Sequence, residues 1–308
     1  MECDGVFEGG GVRGIGLVGA AHAFEQNGYT FRNLAGSSAG AIVASLLAAG
    51  YTTAEMHSIM STLNFEQFKQ RTVWHDFGMA GKIISATTNF GIYSATAFEN
   101  WLARLLSQKG IRTFADLPKR LRVTASNITE GRLLVLPDDL ARFGLNPKTF
   151  SVATAVRMSM SIPIFYEPYE LKDSNGNIYY IVDGGILSNY PAWILDDGIS
   201  RPDYPIFGFR FIKPQQKNKN QKPNFKEYLK QIIETFTEAH DEVYQSRVQG
   251  DSERTIHIST RVQDKYIGAT DFEISQHQAN TLFNNGYAAA IKFLNTWNFD
   301  NWILQFRN

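Results

Sequence analysis

A chain of 308 residues, 44% apolar and with 22 Phe, 13 Tyr and 5 Trp, can bury a sizeable core. Its 30 basic residues balance 30 acidic ones, which excludes nucleic-acid binding driven by bulk charge and strong electrostatic capture by anionic membranes. One cysteine, Cys3, excludes an internal disulfide framework and fits a reducing compartment.

The first residues, Met1-Glu2-Cys3-Asp4, show neither the basic region nor the apolar region of a secretory leader. No stretch approaches ~18 uninterrupted apolar residues, so no spanning helix is expected. The expectation is a cytoplasmic chain.

Gly5-Val6-Phe7 reads as a short buried strand and Val12 to Asn27 as a helix stopped by Gly28. Phe31 to Ala35 is a second strand, and Ala39 to Ala49 a helix ending at Gly50. This alternation with short connections predicts an α/β fold with a mostly parallel central sheet between helices. Thr52 with Glu55, Thr96 with Glu99, and Ser275 with Gln278 fit the capping-box spacing. The helix from Ala97 stacks Trp101, Leu102, Leu105 and Leu106 and stops at Lys109-Gly110. Further strands are expected at Arg120 to Ser126, Tyr179 to Val182 and Ile206 to Phe211. Pro214 to Pro223 reads as a solvated loop and Asn224 to Arg247 as a long helix. No repeat divides the chain. It is taken as a single domain with a core over about 4–212 and a C-terminal helical extension over about 224–308.

Three motifs carry chemistry. Gly9, Gly11 and Gly14 match G-x-G-x-x-G between a strand and a helix. A dinucleotide loop needs an acidic residue about 20 positions on, at the end of the second strand. Phe31-Arg32-Asn33-Leu34-Ala35 runs into Gly36 with no Asp or Glu, which weakens a phosphate loop over Gly9–Gly14 but leaves it as the alternative. Inward-turned N–H groups of such a loop can equally hold an oxyanion. A tight turn with no ligand is the third reading.

Gly36-Ser37-Ser38-Ala39-Gly40 places Ser38 in G-x-S-x-G at a strand-to-helix turn. Ser38 is either a nucleophile or a helix cap. Ser37 lacks the symmetrical glycine bracket and serves as a small neighbour that lets the turn bend.

A serine nucleophile needs a base. None of the six histidines (His22, His57, His75, His240, His257, His277) sits in a small-residue loop after a strand, and strand-like His257 is the best placed. Asp183, followed by Gly184 and Gly185 after an apolar strand, is the stronger candidate for direct contact with Ser38. An ordinary Asp-Gly turn is its competing explanation.

In this order the three motifs resemble the patatin-like phospholipase family. The resemblance spans residues 4 to about 195 and includes Ser161-Ile162-Pro163 and Asn189-Tyr190-Pro191. Glu8 stands where the family usually has Asp. The resemblance implies a three-layer α/β/α fold and a serine carboxylic-ester hydrolase acting on lipid or phospholipid acyl esters. It assigns Ser38 as nucleophile and Asp183 as base, with backbone N–H groups of Gly10, Gly11, Arg13 and Ala39 around the oxyanion. It implies no metal and no cofactor, and a transient contact with a membrane surface, while the charge balance points to no nucleic-acid partner. The aromatic and glycine-rich stretch Asn64 to Tyr93 is a further expectation: a lid or membrane-contacting flap, or ordinary core.

Overall fold

Strand β1 (Glu2–Phe7) ends in the fully buried pair Val6 and Phe7, and β2 (Thr30–Gly36) runs parallel beside it. The computed structural model describes residues 1–68, 70–71, 90–212 and 248–307, together with Gln231 and Thr235. Between the two strands α1 (Gly14–Gln26) is buried around nearly its whole circumference. α2 (Ala39–Ala48) follows β2 and is equally apolar and buried. A helix apolar all round is packed on more than one side, and α1 touches the sheet, α2 and, most extensively, the distant helix α6 described below.

α3 (Thr53–Ser61) begins with the expected Thr52–Glu55 capping box. A small three-stranded sheet is formed by β3 (Gln70–Arg71), β4 (Gly91–Ser94) and, further on, β7. α4 (Thr96–Gln108) buries Phe98, Leu102 and Leu106. Here the expected Thr96–Glu99 capping box does not form: Ala95 is the cap residue, and Glu99 is drawn into tertiary contact, accepting from Thr154 Oγ1 at 2.5 Å and lying 3.6 Å from Arg157 Nε.

β5 (Arg120–Asn127) and β6 (Arg132–Leu136) form a hairpin. α5 (Val152–Met160) leads to β7 (Ile164–Tyr166), then to β8 (Tyr169–Lys172) and β9 (Ile178–Asp183). β10 (Ile206–Phe211) and β11 (Thr255–Ile258) come next. The chain then forms a short antiparallel pair, β12 (Arg261–Val262) and β13 (Lys265–Tyr266), before α6 (Gln276–Leu294) and α7 (Phe299–Phe306). Ser275 and Gln278 make the expected capping box.

The main sheet has the order β11-β10-β1-β2-β5-β9-β8, with β6 on the other edge of β5. β11, β10, β1, β2 and β5 are parallel, whereas β9 is antiparallel to both β5 and β8. The sheet is therefore mixed but mostly parallel and flanked by helices. Side chains alternate between its faces. Phe7, Phe207 and Phe209 join Phe24 of α1 in the main core, while Val6, Ala35 and Ile206 meet Tyr190 and Ala192 on the opposite face.

The C-terminal region is not purely helical as expected, because β11 forms the edge of the main sheet. Its Thr-Ile-His-Ile alternation buries Ile256 and Ile258 and exposes His257. The expected loop Pro214 to Pro223 lies outside the described residues, as does the expected helix Asn224 to Arg247 except for Gln231 and Thr235.

A buried charge cluster ties this region to the first two thirds of the chain. Asp196 Oδ2 accepts from Arg307 Nη2 at 2.8 Å and lies 2.5 Å from Arg254 Nη1, and Arg254 Nη2 donates to Asp251 Oδ1 at 2.9 Å. Both guanidinium groups lie against the Trp302 ring. Two carboxylates against two guanidinium groups leave the cluster neutral, which is how buried charge is tolerated.

Candidate active site

The turn from β2 into α2 is tight enough to dictate its residues. A Cβ on Gly36 would lie 2.4 Å from Gly40 O, and one on Gly40 would lie 2.1 Å from Phe7 O. Both positions of the G-x-S-x-G bracket therefore demand glycine. Between them Ser38 takes φ 49° and ψ −121°, a left-handed conformation that L residues with a Cβ adopt at a cost of roughly 1–3 kcal/mol. Ser38 is the cap residue of α2 but makes no capping bond with its side chain. Instead its Oγ donates to Asp183 Oδ2 at 2.7 Å. The neighbouring Ser37 is fully buried, and among the described residues its Oγ has no hydrogen-bond partner.

Asp183 arrives from the opposite direction. β2 pairs with residues 120–123 of β5 and β9 with residues 125–127, while β6 takes the other edge over 123–127. β2 and β9 thus occupy successive stretches of one edge of β5, running toward each other. Their ends meet, and so do Ser38 and Asp183.

The second carboxylate oxygen of Asp183 accepts the Gly185 N–H at 2.7 Å. Burial pushes the Asp183 carboxyl up to about 6, against the opposing pull of its bonds from Ser38 and Gly185. A carboxylate tuned to this range ionises below neutral pH yet remains basic enough to take a proton.

One short segment grips both partners. Ser159 Oγ accepts the N–H of Ser38 at 2.9 Å, and the Ser161 carbonyl accepts the N–H of Asp183 at 2.9 Å. The end of α5 therefore fixes the two backbones relative to each other. Ser159→Ala should lower kcat on a soluble ester by on the order of 10-fold with little change in KM, because the pair would lose alignment rather than substrate contacts. Ser159→Thr, which keeps the hydroxyl, should restore most of the rate. Equal rates for Ser159→Ala and wild type would show that the contact is structural only.

The glycine loop lies against the serine: a Cβ on Gly9 would be 3.2 Å from Ser38 Cβ and 2.2 Å from Asn189 Oδ1. The Gly9 N–H donates to Asn189 O at 2.9 Å. Gly11 has φ 55° and faces the Ala269 carbonyl, which also accepts the Val12 N–H at 3.1 Å. Arg13 closes the turn, since its backbone N–H and its Nε both donate to Gly10 O, at 3.2 and 3.0 Å. Its guanidinium lies over the Phe211 ring. Glu8 anchors the root of the loop, accepting the Phe211 N–H at 2.6 Å and lying 3.5 Å from Arg210 Nε. Gly14 meets Ala39, whose Cβ lies 3.3 Å from where a Gly14 side chain would begin, so the starts of α1 and α2 converge. Among the described residues no partner takes the N–H groups of Gly10, Gly11 or Ala39.

The model of the patatin-like phospholipase family matches residues 5–196, which contain every part of this arrangement except Ala269, Arg210 and Phe211. The chain belongs to that family. A relative of 40% identity over 310 residues, covering 97% of this chain and 100% of its own length, is the uncharacterized protein YqhO of Bacillus subtilis (strain 168). The probable lipid hydrolase 463L of Invertebrate iridescent virus 6 is 25% identical over 192 residues, 60% of each chain. Among solved structures, VipD from Legionella pneumophila shares the fold with a TM-score of 0.53 and 18% identity, over 96% of this chain and 67% of its own.

In this patatin-like chain the residues singled out by the three motifs come together, with one qualification: the Arg13 N–H is already committed to Gly10 O. Gly184 is pressed against Thr124, and Gly185 supplies the N–H that holds Asp183. The described histidines lie elsewhere. His22 bonds Thr53 and Gln26, and His57 lies 3.3 Å from Asn280 Oδ1. His257 lies on the edge strand β11 and His277 in the first turn of α6, while His75 and His240 fall outside the described residues.

Ser159 was missed by the motif reading. The neighbouring Ser161-Ile162-Pro163 was the signal available, but only the fold shows that the hydroxyl two residues earlier reaches Ser38. Among the described residues no group of three or more His, Cys, Asp or Glu side chains could hold a metal ion, and no helix is long and apolar enough to cross a membrane.

Proposed function

We propose that this protein is a lipid acyl hydrolase of the phospholipase A or lysophospholipase type, working through a Ser38–Asp183 dyad. The observation that carries the reading is the 2.7 Å bond from Ser38 Oγ to a carboxylate raised to about 6. As Ser38 Oγ attacks the ester carbonyl, its proton passes to Asp183 Oδ2. The oxyanion of the tetrahedral intermediate is held by N–H groups of Gly10, Gly11 and Ala39 at two helix starts. Arg13 acts on this site by fixing the Gly10 carbonyl. Asp183 then gives the proton to the departing alcohol, leaving the acyl group on Ser38. Water, losing a proton to Asp183, attacks the acyl-enzyme. Collapse releases the fatty acid, and the proton returns to Ser38 Oγ.

The name of the viral relative, a probable lipid hydrolase, is consistent with an ester of this class. The test is fatty-acid release from phospholipid and lysophospholipid by the full chain, together with mass analysis after a fluorophosphonate probe. Released fatty acid and an adduct on Ser38 are expected. Tight binding of NAD(P) with no adduct and no hydrolysis would favour the phosphate-loop alternative over Gly9–Gly14.

A further inference from the structure

Three exposed apolar side chains of the described residues gather around Tyr180, and a fourth, Ile164, lies on the strand beside the residue that follows Phe90. The Phe90 ring packs edge-on against Tyr180 at 5.7 Å. The Ile128 N–H donates to Tyr180 O at 3.0 Å. Ile178 precedes Tyr180 by two residues on β9 and so shares its face. Ile164 of β7 pairs with Gly91, the residue after Phe90. All four are exposed large hydrophobic residues.

Their position follows from the strand register. Gly36 at the end of β2 pairs with Val123, Asp183 with Ala125 and Ile181 with Asn127. β9 and the β5–β6 hairpin therefore project beyond the end of β2 from which Ser38 springs. Three steps along the strand lead from Tyr180 to Asp183, about 10 Å at ~3.3 Å per residue. The apolar group lies at the same end of the sheet as the dyad. A cavity of about 460 Å³ opens beside it, lined in part by Phe90, Tyr180, Tyr169 and Arg157.

Strain is a second, independent observation. Phe90 has φ 58° and Ile164 φ 71°, left-handed conformations that are genuine outliers for bulky and β-branched residues. Both residues nonetheless reach solvent, Phe90 56% and Ile164 37% exposed. Glycine would relieve the backbone at either site. Strain of this kind concentrates at functional positions.

We propose that Phe90, Ile128, Ile164 and Ile178 form a rim that docks on a zwitterionic lipid bilayer and turns the dyad end of the sheet toward it. The proposal rests on the lipid-ester reading of the site. The chain is charge-balanced, Glu167 and Glu170 border the cavity, and Arg157 is drawn to Glu99 at 3.6 Å. Insertion of apolar side chains, rather than attraction to anionic lipid, is the binding force this composition supports.

The test uses flotation of the full chain with phosphatidylcholine vesicles at low and high salt. It compares wild type, the double variant Phe90→Gly/Ile164→Gly, and Ile199→Ser on the loop leading to β10. The double variant should lose about 10-fold in vesicle partitioning, as expected when two apolar anchors are removed. Its hydrolysis of vesicle lipid should fall in parallel, its rate on a soluble short-chain ester should stay unchanged, and its thermal midpoint should be equal or higher. Ile199→Ser should behave as wild type, and salt should have little effect. Wild-type flotation by the double variant, an equal loss in Ile199→Ser, or binding only to anionic vesicles at low salt would each overturn the rim. Absence of hydrolysis on every ester would instead refute the lipid-ester reading, while flotation still decides the rim.

Discussion

Ser38→Ala is expected to lower ester hydrolysis by ~10⁴-fold or more, the scale seen when a serine nucleophile is removed from a working constellation. Its thermal midpoint should move little. The alanine keeps the Cβ, so the left-handed turn at φ 49° is as strained as before. What changes is electrostatic: Asp183 Oδ2 loses the Ser38 hydroxyl that favours its ionised form. In the variant Asp183 should stay protonated to higher pH. Ser38→Gly should be equally inactive but more stable than wild type by ~1 kcal/mol, because glycine adopts this conformation freely. Rates on phospholipid and on a soluble ester, with calorimetry of the three proteins, give the answer. Hydrolysis by Ser38→Ala near the wild-type rate would refute the mechanism.

Asp183→Asn carries the second large effect, a loss of about 10³–10⁴-fold. The amide fits the space and can still accept the Gly185 N–H, but it cannot take the Ser38 proton. The wild-type pH profile should show the same group. kcat/KM is expected to rise with pH through about 6 and then level off, because the base works only when ionised.

The stability effect has the opposite sense. The folded protein holds the Asp183 proton more tightly than the unfolded chain, whose ordinary value is 3.8. Stability from this group is present at low pH and is lost as pH rises from about 4 through about 6, at most about 3 kcal/mol for a shift of this size. Asp183→Asn should remove that slope. A wild-type rate that stays flat between pH 5 and 8 on a soluble ester would argue against Asp183 as base.

The meeting of Ser38 and Asp183 was legible because close backbone approach demands glycine on the turns that present them. Gly36 and Gly40 are required by backbone atoms within a few residues or on the adjoining strand, Gly184 by Thr124 on β5, and Gly185 by Asn189 and the Asp183 carboxylate. Such requirements leave glycines in the sequence at fixed spacing. The direction of β9 left no such mark. Tyr179 to Val182 reads as an apolar strand whether it lies parallel or antiparallel, and only pairing with β5 aims its end at β2. Ser159 was hidden for a related reason, because a buried hydroxyl in an amphipathic helix resembles any small core residue. Thr96 and Glu99 show the reverse failure: the spacing was right, but Thr154 and Arg157 claimed the glutamate. Of the expected flap, Phe68 packs against Phe98 and Trp101 as ordinary core, Phe90 is exposed, and Trp74 and Phe77 lie outside the described residues.

The salt cluster beneath Trp302 ties the family-matched segment to the rest of the chain. The family match closes at residue 196, and Asp196 takes its counter-ions from Arg254 and Arg307. A gene fragment cut at the match boundary would encode a carboxylate meant for the interior with nothing to neutralise it. It would also lack β10 and β11, which complete the sheet beyond β1. Residues 5–196 therefore draw on the tail for both strand partners and counter-ions, and the fold runs as one unit across the match boundary.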